Sequence, residues 1–65
     1  MQKVVLTNNG LVTSKYHVPE FMTAQNGVIN YMSQDRRHWA TITDEITGDL
    51  RAYFWVGDKL NVSVF

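Results

Sequence analysis

Apolar and polar residues recur with two different periods along this chain, and these periods predict its elements. Between Glu20 and Gln34, at 100° per residue, the apolar positions occupy about half of a helix circumference; they are Phe21, Met22, Ala24, Val28, Ile29, Tyr31 and Met32. Read instead as two strands around Asn26-Gly27, the same residues show no clean alternation. We therefore predict a helix here, although Gly27 costs it about 1 kcal/mol relative to alanine.

The other segments predict strands separated by turns. Their residues are β-branched, aromatic or alternately apolar and polar, which is typical of strands. Asn-Gly and Gly-Asp pairs between them favour tight turns with positive φ, and Pro19 suits the first turn of the helix. The predicted strands are Lys3 to Thr7, Leu11 to Val18, His38 to Asp44, Leu50 to Val56 and Leu60 to Phe65.

The order of elements is therefore ββαβββ, an α+β fold in which one amphipathic helix packs on an antiparallel sheet. Sixty-five residues suffice for one compact domain, residues 1–65, near the lower limit for independent folding. An alternative is a small all-β barrel, in which the first hairpin curls over the sheet. In that hairpin, Val12, Tyr16 and Val18 are predicted to share a face.

One helix covers only one face of a sheet. The alternation of residues along each strand therefore predicts which side chains point towards the helix and which point away from it. The natural core set comprises Ala40, Ile42, Leu50, Ala52, Phe54, Val56, Leu60, Val62 and Val64. The opposite face then carries Trp39, Arg51, Tyr53 and Trp55. In the barrel alternative these aromatic residues are core instead.

Three large aromatic side chains on an uncovered face predict an interface. Each can bury about 150–250 Å², and apolar patches above a few hundred Å² usually mark a binding surface. Trp, Tyr and Arg are also enriched among interface hot spots. The predicted partner-binding residues are Trp39, Arg51, Tyr53 and Trp55.

Composition narrows the classes of partner. Apolar residues make up 45% of the chain and charged residues 18%, and the formal net charge is zero, which is typical of a globular protein and not of a strongly basic one. Without cysteine there is neither a disulfide nor a thiolate metal site, which leaves self-association as a homodimer to add stability. Neither a signal peptide nor a membrane span is predicted, so we expect a cytoplasmic protein with no membrane partner.

Basic residues beside the aromatic ones suggest a second kind of partner. Arg36 and Arg37 precede Trp39, and Arg51 precedes Tyr53 and Trp55. Single-stranded nucleic acid binds surfaces on which bases stack on rings and cations contact phosphates. No fold-specific motif accompanies these residues, and Asp35-Arg36-Arg37 also fits a solvated turn.

No motif for catalysis or metal binding is recognisable. His17 and His38 lack the spacing of a ligand set, and Asp44, Glu45 and Asp49 are expected on an exposed turn. The serines have no nucleophile context, and no phosphate-binding loop occurs. We therefore expect a protein that is not an enzyme, with no catalytic residues, no metal and no cofactor.

The leading hypothesis is a small protein-binding module or inhibitor that acts through the aromatic sheet face. The first alternative is a single-stranded nucleic-acid-binding protein that uses the same aromatic residues with Arg36, Arg37 and Arg51. The second alternative is a structural subunit of a larger assembly. In that case the predicted strand Leu60 to Phe65 would pair edge to edge with a neighbouring chain.

Overall fold

The computed structural model describes all residues, 1–65, and shows one helix packed on a five-stranded antiparallel sheet. The α+β class and the order ββαβββ are confirmed. The elements are β1 (Gln2–Asn8), β2 (Leu11–Val18), α1 (Phe21–Met32), β3 (His38–Asp44), β4 (Leu50–Val56) and β5 (Lys59–Val64).

The strands lie in the order β2-β1-β3-β4-β5. The first strand is therefore interior, paired with β2 on one side and β3 on the other. The chain leaves the edge strand β2, passes through α1 across one face, and returns next to β1 as β3. The sheet stays open, with β2 and β5 as its two edges, so the barrel alternative is wrong.

Two tight turns follow from residues that accept positive φ. The β1–β2 turn has Asn9 at φ 53° and Gly10 at φ 85°, and two consecutive positive φ values match the right-handed twist of the flanking strands. Gly57 adopts φ 60° in the turn between β4 and β5. These local signals explain why the hairpins could be predicted from sequence.

The helix is shorter than predicted at both ends. Glu20 before it is extended, with φ −112° and ψ 138°, and makes no side-chain cap. Pro19 therefore precedes the helix and does not lie in its first turn, as the sequence had suggested. At the other end, the carbonyl of Ile29 accepts both the backbone N–H of Ser33 at 3.0 Å and its hydroxyl at 2.8 Å.

The core lies between α1 and the middle of the sheet. Its fully buried members are Val4, Ala24, Val28, Met32, Ala40, Ile42 and Tyr53. The inward placement of Ala40 and Ile42 is confirmed. One helix does not span five strands, and on the edge strand β5 the side chains of Val62 and Val64 remain 48% and 65% exposed.

A bulge interrupts the first hairpin. The register between β1 and β2 shifts between Leu6 and Thr7, so Val4 pairs with Tyr16 but Thr7 pairs with Val12. An extra residue in one strand reverses the alternation beyond it. Val12 therefore lies on the face opposite Tyr16, 54% exposed, and the prediction that the two share a face is wrong.

Candidate interaction surface

The faces of β4 are the reverse of those predicted. Ala40 pairs with Tyr53, and Ile42 pairs with Arg51. Directly paired residues point to the same side of a sheet, so Arg51, Tyr53 and Trp55 lie on the helix side. Tyr53 is only 1% exposed, and the prediction that it lies on an uncovered face is wrong.

The polar groups of Tyr53 and Trp55 form hydrogen bonds with the helix, which explains how these aromatic residues are accommodated beneath it. The hydroxyl of Tyr53 donates to the side-chain oxygen of Gln25 on α1 at 2.9 Å. The indole N–H of Trp55 donates to the carbonyl of Met32, in the last turn of α1, at 3.0 Å. Buried Tyr and Trp need such partners, and the helix supplies them. Burial also raises the pKa of the Tyr53 phenol.

Two arginines extend over aromatic rings on this helix side. The guanidinium of Arg36 lies 3.9 Å from the ring centre of Trp55. That of Arg51 lies 4.3 Å from the ring centre of Phe21, at the start of α1. Both are within the range of cation–π attraction. Arg51 and Trp55 therefore belong to the contact between helix and sheet, and their predicted exposure on the opposite face is wrong.

The face opposite the helix, here called the outer face, is covered by no element. Of the four predicted partner-binding residues, only Trp39 lies on it, 42% exposed. The other apolar residues on this face are the alternate residues of β4 that point away from the helix, and the residue that pairs with the first of them. They are Leu50, Ala52, Phe54, Val56 and Phe65. The prediction that the first four of these belong to the core face is wrong, whereas Phe65 lies, as the alternation of its strand predicts, on the face opposite Leu60, Val62 and Val64.

An apolar row crosses the outer face at one end. Thr7 pairs with Val12 on one side and with Trp39 on the other. Because Ala40 pairs with Tyr53, the adjacent residues Trp39 and Phe54 lie beside each other. Thr7 is only 3% exposed, although it lies on the uncovered face, since its larger neighbours shield it.

All three lysines of the chain point to the outer face. Lys3 and Lys15 pair with outward residues of the β1 ladders, and Lys59 pairs with Val56. None of the six carboxylate residues occupies an outward strand position on this face. The chain is neutral as a whole, but its lysines share one face, where the carboxylate of Glu45 contacts His17 at the rim.

Arg36 and Arg37, which were predicted to contact nucleic acid, lie elsewhere. Arg37 donates to both carboxylate oxygens of Asp35, at 3.2 and 2.8 Å. This pairing lowers the pKa of Asp35 and raises that of Arg37. Arg36 stacks on Trp55 from the helix side and lies 3.9 Å from a carboxylate oxygen of Asp58. Neither arginine joins Trp39 on the outer face.

The histidines and the acidic turn are engaged in local contacts. His17 lies 3.2 Å from the carboxylate of Glu45, and His38 stacks on the ring of Tyr31 at 3.9 Å. Asp44 accepts hydrogen bonds from the side chain of Gln2 and from two backbone N–H groups of its own turn, which lowers its pKa. The absence of catalytic, metal and cofactor sites remains a prediction.

Three further observations concern the whole chain. The structure contains no enclosed pocket and no group of three metal-ligating side chains. Its one helix, α1, is too short to cross a bilayer. No family model, curated protein or solved structure matches this chain, so any function has to be argued from its surface.

Proposed function

We propose that this protein is a small, non-enzymatic protein-binding module or inhibitor that acts through the outer face of its sheet. One observation supports this most directly: the face that carries Trp39 and Phe54 is covered by no element of the chain. Trp is the residue most enriched at interface hot spots. The anchors differ from those expected from sequence, but the kind of surface is the same.

The exposed apolar area is large enough for a partner. With Trp39 42% and Phe65 77% exposed, the two aromatic side chains present about 250 Å² of surface. Val12 and Val56 add to it, at 54% and 59% exposed. Val12 and Trp39 belong to the row at one end of this face, whereas Phe65 pairs with Leu50 at the other end. A partner that contacts all of these residues therefore has to cover the whole outer face.

Charge specifies the chemistry of the partner. Lys3, Lys15 and Lys59 lie on this face, and the carboxylate of Glu45 reaches its rim at His17. Complementary interfaces place opposite charges at the rim and apolar groups at the centre. The surface therefore suits a protein with an apolar patch bordered by Asp and Glu.

The test is capture of partners from an extract of the source cells by the immobilised full chain, followed by affinity measurements with the purified partner. Trp39→Ala should weaken binding by about 30-fold, which corresponds to the hot-spot threshold of about 2 kcal/mol. Ile46→Ala is the matched control, because Ile46 is 87% exposed but lies in the turn after β3. It should bind like the wild type. A partner that binds Trp39→Ala as tightly as the wild type would contradict the proposal.

A single-stranded nucleic acid is the second candidate partner, and the lysines are the observation that favours it. Lys59 lies close to Phe54, and Lys3 and Lys15 lie farther along the same face. Cations and stacking rings on one face are the combination used to bind single strands. Three phosphate contacts predict that log K falls with log[salt] with a slope of about −2. Anisotropy titrations of labelled single-stranded DNA and RNA at several salt concentrations measure that slope. No binding at low salt would eliminate this candidate.

Self-association completes the proposal. A chain of 65 residues without cysteine has few other ways to bury more surface, and the free edge of β5 offers a strand for pairing. The same edge supports the alternative of a structural subunit within a larger assembly. We propose the cytoplasm as the compartment, since the chain has no cysteine to oxidise.

A further inference from the structure

We infer that two copies of this chain associate through β5 and the adjoining flank of α1, forming one continuous sheet around a two-fold axis at Val62. This deepens the self-association part of the proposed function and uses a surface separate from the outer face. The occupant of this surface is therefore a second copy of the chain, paired antiparallel along β5.

The free backbone groups of β5 belong to three apolar residues. Leu50 and Phe65 exchange both backbone hydrogen bonds, so the pairs Ala52–Ser63 and Phe54–Asn61 are bonded in the same way. The groups of the alternate residues then point away from β4, to the open edge. Those residues are Leu60, Val62 and Val64.

The side chains of the same three residues lie on the helix side of the sheet. Val62 pairs with Tyr53, and Val64 pairs with Arg51, both of which face α1. The helix does not reach over them, and Val62 and Val64 are 48% and 65% exposed. A strand added at this edge would satisfy the backbone and cover the side chains together.

The flank of α1 that overlooks this edge is also apolar. Gln25 bonds the Tyr53 hydroxyl, and Met22 and Ile29 lie three residues before it and four after it, on the same side of the helix. Met22 is 59% exposed and Ile29 41% exposed. These two side chains lie on the flank of α1 that faces β4, and Val62 and Val64 lie on the helix side of the neighbouring strand β5.

The sequence of β5 is complementary to itself. Antiparallel pairing centred on Val62 places Val62 opposite Val62 of the second copy, and Leu60 opposite Val64 of that copy. In this register every free edge group of the three residues finds a partner. The apolar side chains of both copies then remain on the helix side, and the formal net charge of zero gives no overall repulsion between copies.

The two edges of the sheet differ in their protection. Edge strands are commonly blunted by bulges and by charged residues. β2 has both, since its register shifts opposite Leu6 and Thr7 and it carries Lys15 and His17. β5 has no bulge and no proline, and its single charged residue, Lys59, is the first of the strand. The unprotected edge is the one expected to pair.

The available area matches a weak dimer. Transient interfaces bury less than about 1,200 Å² in total, or about 600 Å² per copy. This is about one seventh of the 4203 Å² surface of the chain. A dimer that uses one strand edge and one helix flank belongs to this class of small interfaces, so we expect a weak dimer whose population depends on protein concentration.

The position of Val62 on the axis allows a decisive test by sedimentation equilibrium of the full chain, from about 1 µM to about 1 mM. Val62→Lys alone and Val62→Glu alone should each weaken dimerisation by more than about tenfold, because like charges meet across the axis. An equimolar mixture of the two variants should dimerise again as a heterodimer. Rescue in the mixture requires residue 62 to face residue 62.

Val12→Lys is the matched control, because Val12 is also a valine on an edge strand, 54% exposed, but on β2. It should dimerise like the wild type. Val64→Lys is a second disrupting variant in case Val62→Lys unfolds, which circular dichroism would show. A wild-type monomer at about 1 mM, a dimer unaffected by Val62→Lys, or no rescue in the mixture would each overturn the inference.

Failure of this inference is distinguishable from failure of the proposed function. Loss of partner binding in Trp39→Ala with a normal dimer supports the outer face as the binding surface. A monomer that still binds its partner through Trp39 overturns only the dimer. If both hold, the two copies present their outer faces on one side of a continuous ten-stranded sheet, because the two-fold axis is perpendicular to the sheet.

Discussion

The two tryptophans of this chain allow a direct test of which side chains of β4 point towards the helix. The same conservative change, Trp to Phe, is made at Trp39 and at Trp55. If the structure is right, the changes differ in cost, because Trp55 is held against α1 and Trp39 lies on the outer face. If both pointed outward, as the alternation of β4 suggests, the two costs would be similar.

The magnitude follows from the contacts that each ring makes. Trp55→Phe removes the indole N–H that bonds the Met32 carbonyl at 3.0 Å, and a hydrogen bond of this kind contributes about 0.5–1.5 kcal/mol net. It also weakens the cation–π contact of Arg36, 3.9 Å from the ring centre, by a few tenths of the roughly 0.5–1 kcal/mol such contacts provide. The expected loss is about 1–2 kcal/mol.

Trp39→Phe removes only part of a ring that is already 42% exposed. Changes at such surface positions usually stay within about 0.5 kcal/mol. The difference between the two variants is therefore about 1 kcal/mol, equivalent to about 4–8 °C in Tm for a domain of this size. Urea and thermal unfolding followed by circular dichroism measure it.

Fluorescence of the same variants gives an independent measurement. Trp55→Phe leaves Trp39 as the single indole, and Trp39→Phe leaves Trp55. Indole emission shifts to longer wavelength as water contact increases, so the first variant should emit at longer wavelength than the second. Equal unfolding free energies together with equal emission maxima would refute the placement of Trp55 under the helix.

Two other properties of the contact between helix and sheet can be tested by stability measurements. Gly27→Ala adds a Cβ 3.1 Å from the Tyr16 hydroxyl, and a small shift of the Tyr16 ring relieves this close contact. Alanine favours the helix by about 1 kcal/mol relative to glycine, so Tm should rise by about 2–6 °C. The rise should be larger in a Tyr16→Phe background, whereas a lower Tm in both backgrounds would contradict this packing. Burial raises the pKa of Tyr53, so its contribution to stability is complete below the unfolded value of about 10 and decreases as the pH rises above it. The urea midpoint should therefore drop more between about pH 9 and pH 11 in the wild type than in Tyr53→Phe, and equal drops would contradict the assignment.

Much of the fold was predictable because its signals are local. The Asn9-Gly10 turn needs two residues that accept positive φ, and both adopt it. The helix could be recognised because its apolar residues recur at the helical period, with Ala24, Val28 and Met32 in the core. Each of these signals acts within a few residues of the chain, so it can be read without knowing the neighbours in space.

The candidate site was only partly predictable, for a reason that concerns β4 itself. One alternating set of this strand is apolar and the other combines two large aromatic rings with Arg51, so a period of two identifies two faces without showing which one is buried. The outward position of Trp39 was predicted correctly because Ala40 and Ile42, on the same strand, point into the core. Trp39 precedes Ala40, so its side chain points to the opposite face. The polar tips of Tyr53 and Trp55 were the signal that could have indicated a position under the helix edge, where hydrogen-bond partners are available.

Local patterns along the chain are therefore sufficient to predict the type, order and approximate limits of the elements and the pairing of consecutive strands into hairpins. Three further features follow only from contacts between distant elements: β1 lies between β2 and β3, the sheet stays open, and one particular set of β4 residues faces the helix. These features depend on register between distant residues and on where Gln25 and the Met32 carbonyl offer hydrogen bonds. Such contacts form only when the helix docks, and a one-residue change of register would exchange the two faces of the strand.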